Sequence, residues 1–140
     1  MQPCAKNSHA LTVIVVEHDP WLQRALEQLF AEDGHHVVRV EDRGEAARLA
    51  RRLDPAMILI DVPTAPVDGM SALQELRRSA ADAVIVVLSA TGTAGTAREA
   101  MLCGADDYVA KPVDMNALRV VVRDGLAERR RRALEHACAS

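Results

Sequence analysis

Aromatic residues are almost absent from this 140-residue chain: Trp21, Phe30 and Tyr108 are the only ones. A surface that stacks nucleobases needs more rings than that. Lysine is nearly as scarce, occurring twice against 15 arginines. Cysteine occurs three times, at Cys4, Cys103 and Cys138. That odd, widely spaced set forms neither a metal-ligand spacing nor a disulfide framework, so a reducing compartment and no chemical role are expected. No apolar stretch approaches the roughly 20 residues of a membrane span. The first ten residues lack the apolar core of a secretion signal. A cytoplasmic protein with no membrane partner is therefore expected. The formal net charge of −3 gives no pull towards nucleic acid, and no direct nucleic-acid contact is expected of this chain.

What the chain has is apolar runs alternating with amphipathic helical patterns, five of each. The runs are Thr12–Val16, Val37–Val40, the stretch to Asp61 that starts at Ala56, Ala83–Leu88 and the short Tyr108–Ala110. Runs that are apolar without interruption read as strands buried on both faces. Val37–Val40 carries Arg39 and reads as a strand nearer an edge. Asp19-Pro20 reads as an N-cap followed by proline at the first helical position, and Gly34 ends that helix. Asp54-Pro55 stops the second helix, Asp68-Gly69 marks a turn, and Thr96 with Glu99 forms a capping box for the fourth helix. The last helix opens at Asp114 and carries Leu118, Val121, Val122 and Leu126 on one face. This order predicts a doubly wound α/β domain, a five-stranded parallel sheet with helices on both faces. The expected organisation is a flexible N-terminus over 1–10, one domain over 11–128, and a helical extension or tail over 129–140, with Arg129–Arg132 a solvated helix end.

A parallel sheet gathers its strand C-termini at one edge, where open α/β sheets place their chemistry. That edge collects Glu17, His18, Asp61, Ser89 and Lys111. Crowded carboxylates repel each other unless a cation holds them. A lysine beside them neutralises an incoming phosphoryl group, and a hydroxyl donates to one of its oxygens. Lys111 is the single lysine outside the first ten residues, and its compact ammonium suits a single anionic oxygen. The bland readings are a capping acid for Asp61, a structural Glu17–Lys111 ion pair, a strand-terminating Ser89 and ordinary packing for Tyr108.

Val-Val-Glu-His-Asp-Pro at 15–20, Ile-Asp at 60–61, Asp-Gly at 68–69, Ser-Ala at 89–90 and Gly-Ala-Asp-Asp-Tyr-Val-Ala-Lys-Pro at 104–112 together resemble the receiver domain of two-component response regulators. The resemblance covers roughly residues 11 to 128. It implies a flavodoxin-like fold with strand order 2-1-3-4-5. Asp61 is then the phosphoacceptor, supplied by a sensor histidine kinase or a phosphotransfer protein in a phosphorelay. Glu17, Asp61 and the backbone of Pro63 are the expected Mg²⁺ ligands, with His18 at the second acidic position. Ser89 and Lys111 contact the phosphoryl group, Ser89 and Tyr108 form the switch pair, and the Lys111-Pro112 bond is cis. The fourth helix, fifth strand and fifth helix form a possible homodimer face. No enzymatic turnover is expected beyond self-catalysed phosphotransfer and autodephosphorylation.

Two positions depart from that pattern. His18 stands where the family places a carboxylate, and Mg²⁺ prefers hard oxygens to imidazole. Pro63 keeps a carbonyl but has no N–H to donate to a phosphoryl oxygen. They motivate the alternative of a pseudo-receiver, a phosphorylation-independent interaction or dimerisation module. A titrating His18 would offer a pH-responsive pocket. A flavin protein or aspartyl phosphatase on the same fold fits less well, because acidic Glu-His-Asp follows the first strand.

Overall fold

The structure is a computed structural model and describes residues 10–62, 66–90 and 94–139. Five strands alternate with five helices: β1 Thr12–Val16, α1 Pro20–Ala31, β2 His36–Val40, α2 Arg43–Leu53, β3 Met57–Asp61, α3 Pro66–Ser79, β4 Val84–Ser89, α4 Ala94–Leu102, β5 Asp107–Ala110 and α5 Met115–Ala139. The strands pair in parallel in the order β2-β1-β3-β4-β5, as the resemblance implies.

The period-two alternation of the strands divides the core cleanly. Ile14, Val16, Ile58, Ile60, Ile85 and Val87 face α2, α3 and α4, meeting Ala46, Ala50, Leu73, Leu76 and Ala100. Val13, Val15, Met57, Leu59, Val84, Val86 and Leu88 face the other way, onto Leu22, Leu26, Leu29 and Phe30 of α1 and Leu118 and Val122 of α5. Each fully buried Leu or Ile contributes roughly 1.5–3 kcal/mol. β2 is an edge strand and only Val40 on it is fully buried.

The helix starts follow local chemistry. Asp19 caps α1 by accepting from the Trp21 amide at 3.0 Å, with Pro20 at the first helical position. Asp54, in the left-handed region at φ 49°, ends α2. Two expected boundaries are corrected. Asp68-Gly69 is no turn: both residues lie inside α3, which opens at Pro66, a residue whose fixed φ favours a first helical position. Thr96 is no cap either, because α4 begins at Ala94, and a capping residue must lie outside the helix it caps. Residues 91–93, between β4 and α4, lie outside the described residues.

α5 runs on to Ala139, and the reading of Arg129–Arg132 as a solvated end is also corrected. The stripe Leu118, Val122, Gly125 continues at the same 3–4 spacing through Arg129 and Arg132. Arg129 reaches Asp54 at 3.3 Å and Arg132 reaches Asp106 at 2.6 Å. Arg130 and Arg131 lie between them in exposed positions.

Candidate functional site

Register and strand parity assemble the site. Val16 pairs with Ile60, so Glu17, the next residue after β1, is level with Asp61 at the end of β3. Ser89 pairs with Ala110, so Lys111 follows immediately at the end of β5. Glu17 continues the alternation of Val13 and Val15, Asp61 that of Met57 and Leu59, and Lys111 that of Val109. All three belong to the α1/α5 side of the sheet. Ser89 continues Ile85 and Val87, and Tyr108 packs against that same opposite layer.

The Lys111 ammonium bridges the two acids. Its Nζ is 3.1 Å from Glu17 and 3.2 Å from Asp61 Oδ1. Both Glu17 oxygens lie at 3.1 Å, but only Oε2 meets the ammonium in hydrogen-bonding geometry. Oε1 is buried and has no hydrogen-bond partner among the described residues. Glu17 itself is 1% exposed, an unusual burial for a carboxylate. The Asp19 amide donates to its Oε2 at 3.1 Å, and the Gln23 side-chain amide donates to its backbone carbonyl. Burial by itself pushes the Lys111 ammonium towards losing its proton. Its bonds to Glu17 and Asp61 more than offset that and hold its pKa above the ordinary value.

Among the remaining expected residues, Ser89 is fully buried and His18 is exposed. Tyr108 buries its hydroxyl without a hydrogen-bond partner among the described residues. The Lys111-Pro112 peptide bond is cis. Pro63 lies outside the described residues.

Arg43 is the site residue that sequence reasoning passed over. It opens α2, and its Nη2 donates to the Asp61 carbonyl at 3.3 Å, while its Nε is buried without a hydrogen-bond partner among the described residues. The signal was its place just after Asp42, which caps α2 through the Gly44 amide at the sheet's active edge. A second charged cluster lies at the opposite edge. Asp106, just before β5, takes Arg77 and Arg132 at 2.6 Å each and the Ile85 amide at 2.9 Å. Arg77 also donates to the carbonyls of Ala83 at 2.7 Å and Gly104 at 2.7 and 3.0 Å. Burial raises the Asp106 pKa, but Arg132, the Ile85 amide and Arg77 outweigh it, so the group sits below its usual value.

The described residues do not fit a Mg²⁺ ion well. Octahedral Mg²⁺ needs several hard oxygens. Here the two carboxylates both engage Lys111, and the third position is an exposed imidazole. Among the described residues no group of three His, Cys, Asp or Glu side chains is placed to hold a metal.

The comparisons with known proteins agree with this geometry. The family model "Response regulator receiver domain" matches residues 13–123. The chain is 30% identical over 114 residues to the regulatory protein AtoC of Escherichia coli, covering 81% of this chain and 25% of AtoC. It is 32% identical over 137 residues to the C4-dicarboxylate transport transcriptional regulatory protein DctD of Pseudomonas aeruginosa, covering 93% of this chain and 28% of DctD. The chain thus spans about a quarter of the length of these two relatives.

Among solved structures, a response regulator from Thermotoga maritima superposes with a TM-score of 0.77 at 24% identity, over 84% of this chain and 98% of that one. The receiver domain of the sensor histidine kinase PA1611 of Pseudomonas aeruginosa superposes with a TM-score of 0.72 at 28% identity, again over 84% and 98%. That structure holds a magnesium ion in its active-site cleft. The chain belongs to the response regulator receiver domain family. Such domains typically bind Mg²⁺ in this cleft and work with histidine kinases or phosphotransfer proteins. They are signalling domains of two-component systems rather than classical enzymes.

Proposed function

We propose that Asp61 accepts a phosphoryl group from the phosphohistidine of a sensor kinase or phosphotransfer protein, and that the domain passes the signal on through protein contacts. One observation carries this reading: a single ammonium, Lys111, holds Glu17 and Asp61 together at the C-terminal edge of the sheet. Asp61 keeps a nucleophilic oxygen within reach of solvent, its side chain being 22% exposed, while Glu17 is sealed behind it. The attacking Asp61 oxygen forms the new P–O bond as the donor's P–N bond breaks. Lys111, its proton firmly held, screens the negative charge that gathers on the phosphoryl oxygens. The same residues would serve self-catalysed transfer and its hydrolytic reversal.

The rim beside the site supports a protein donor. A groove of about 500 Å³ lined by Trp21, Leu22, Ala90, Pro112 and Val113 adjoins Lys111. Trp21 is 63% exposed, and a donor delivering a phosphoryl group to Asp61 has to sit over this rim. Ser89 and Tyr108 are the switch pair in this reading. A buried tyrosine hydroxyl without a partner costs about 1–3 kcal/mol, so rotation of the ring towards solvent is available at little expense. Met101 and Leu102 on α4 and Val120 on α5 are exposed apolar side chains, which supports a homodimer through α4, β5 and α5. No helix among the described residues is long and apolar enough to cross a membrane, and we place the domain in the cytoplasm.

Incubation with acetyl phosphate followed by intact-mass analysis tests the assignment. One added phosphoryl group on the parent and none on Asp61→Asn is the expected result. Equal labelling of both would move the acceptor elsewhere.

A further inference from the structure

We propose that Arg43 supplies the second positive charge of this cleft, where other receiver domains draw on a divalent cation, and that phosphoryl transfer to Asp61 therefore does not require Mg²⁺. The inference rests on Asp61 being the phosphoacceptor and goes beyond it by naming what balances the pocket.

Charge motivates it first. Glu17 and Asp61 bring two negative charges and Lys111 one positive, so these three groups leave the cleft with one uncompensated negative charge, which repels an incoming phosphoryl group. His18 does not repair this, because it is exposed and lacks a carboxylate's hard oxygens. Arg43 does. α2 packs against β1 and opens at the C-terminal edge, so its first residue arrives beside Asp61. Counting Arg43, these four charges cancel, and the remaining carboxylate beside Lys111, that of Asp19, is exposed to solvent.

Unused donors motivate it second. A guanidinium carries five N–H groups. Among the described residues that of Arg43 makes one hydrogen bond, a 3.3 Å contact to a neutral carbonyl, and its Nε is buried with nothing to donate to. Buried donors are normally satisfied, and an exception calls for an explanation. A phosphoryl group on the Asp61 side chain would be carried by the residue whose backbone carbonyl Arg43 already contacts. It would exchange a long neutral bond for charge-assisted ones in the planar fork geometry that suits phosphate. A lysine at the same place could not offer two parallel donors.

The transfer balances without a cation in the equation. An Asp61 carboxylate oxygen attacks the phosphorus of acetyl phosphate. The P–O bond to the acetyl group breaks, acetate leaves with the electron pair, and the acyl phosphate on Asp61 keeps the dianionic phosphoryl group that Lys111 and Arg43 contact.

The experiment is acetyl phosphate labelling in EDTA and in Mg²⁺, followed by intact mass, for the parent, Arg43→Gln, Arg43→Ala and Asp61→Asn. Arg43→Gln keeps a donor for the Asp61 carbonyl while removing the charge, and thermal melts establish that it is folded. The parent is expected to label on Asp61 in EDTA at a rate within about threefold of that in Mg²⁺, and Arg43→Gln to fall about tenfold or more in EDTA. A purely structural Arg43 would not change the ratio of the two rates. A parental rate for folded Arg43→Gln in EDTA overturns the proposal, and so does a parent that labels only with Mg²⁺. Both of those outcomes leave Asp61 as the acceptor. A parent unlabelled under either condition removes the phosphoacceptor reading and this inference with it.

Discussion

The two edges of the sheet solve the same electrostatic problem in opposite ways. At the N-terminal edge one carboxylate, Asp106, is shared by two arginines and a backbone amide, and Arg77 and Arg132 spread their remaining donors over the carbonyls of Ala83 and Gly104. At the C-terminal edge two carboxylates share one ammonium, and Glu17 Oε1 and Arg43 Nε are left without hydrogen bonds among the described residues. The first cluster is saturated and ties α3, β4, β5 and α5 together. The second is short of partners, which leaves capacity for a group that arrives and departs. Between these two clusters, the saturated one marks architecture and the one short of partners marks function.

Removing the shared cation breaks the comparison most severely. Lys111→Ala is expected to slow Asp61 labelling by about 10²-fold or more, because the one ammonium facing the phosphoryl oxygens is gone. A rate within a few-fold of the parent would show that Lys111 is only structural. Removing the shared anion acts on stability instead. Asp106→Ala leaves Arg77 and Arg132 half-buried without their carboxylate and is expected to cost about 2–3 kcal/mol in urea unfolding, below the roughly 3–5 kcal/mol of a fully buried pair because Asp106 is 23% exposed. Labelling should be unchanged. A loss below about 0.5 kcal/mol would reduce the clasp to an ordinary surface pair.

The clusters should also fail at opposite ends of the pH scale. Asp106 is depressed in the folded state, so its contribution is present above its unfolded pKa near 4 and lost as pH falls through the folded value. Lys111 is raised, so its contribution is complete below about pH 10.4 and lost as pH rises through the folded value. The stability gap between parent and Asp106→Asn should close in acid, and that between parent and Lys111→Met should close in alkali. A gap that persists unchanged at either extreme contradicts the assigned cause. The smallest effect is expected at Tyr108→Phe, which deletes a buried hydroxyl with no partner among the described residues. Stability should hold or rise by up to about 1 kcal/mol, and a loss of that size would reveal a bond to the hydroxyl.

Much of this was legible in the sequence, for reasons that particular residues make plain. Strands such as Met57–Asp61 and Val84–Ser89 are buried on both faces and carry no polar interruption, so run length alone found them. The parallel order then gathered Glu17, Asp61 and Lys111 at one edge, while the side they share came from the strand register. Helix starts were less legible: Asp68-Gly69 and Thr96 carry turn and cap chemistry yet lie inside helices, because tertiary packing overrides local preference. Charged partners were least legible. Asp106 and Arg77 are 29 residues apart and Arg43 and Asp61 are 18 apart, and no local pattern encodes which arginine of 15 meets which acid. Arg129 and Arg132 are the exception. Extending the Leu118, Val122, Gly125 stripe by the same spacing would have marked them as inward-facing.

The most direct test of the contrast pairs one isosteric substitution at each edge, Asp61→Asn and Asp106→Asn, and measures acetyl phosphate labelling and thermal midpoint on both. The expected result is a double dissociation. Asp61→Asn takes no phosphoryl group and melts within a few degrees of the parent, while Asp106→Asn labels at the parental rate and melts lower by about 4 °C or more, the shift that roughly 1 kcal/mol gives a domain of this size. Loss of labelling in Asp106→Asn, or a fall in midpoint for Asp61→Asn as large as that for Asp106→Asn, would contradict the division of the two edges into function and architecture.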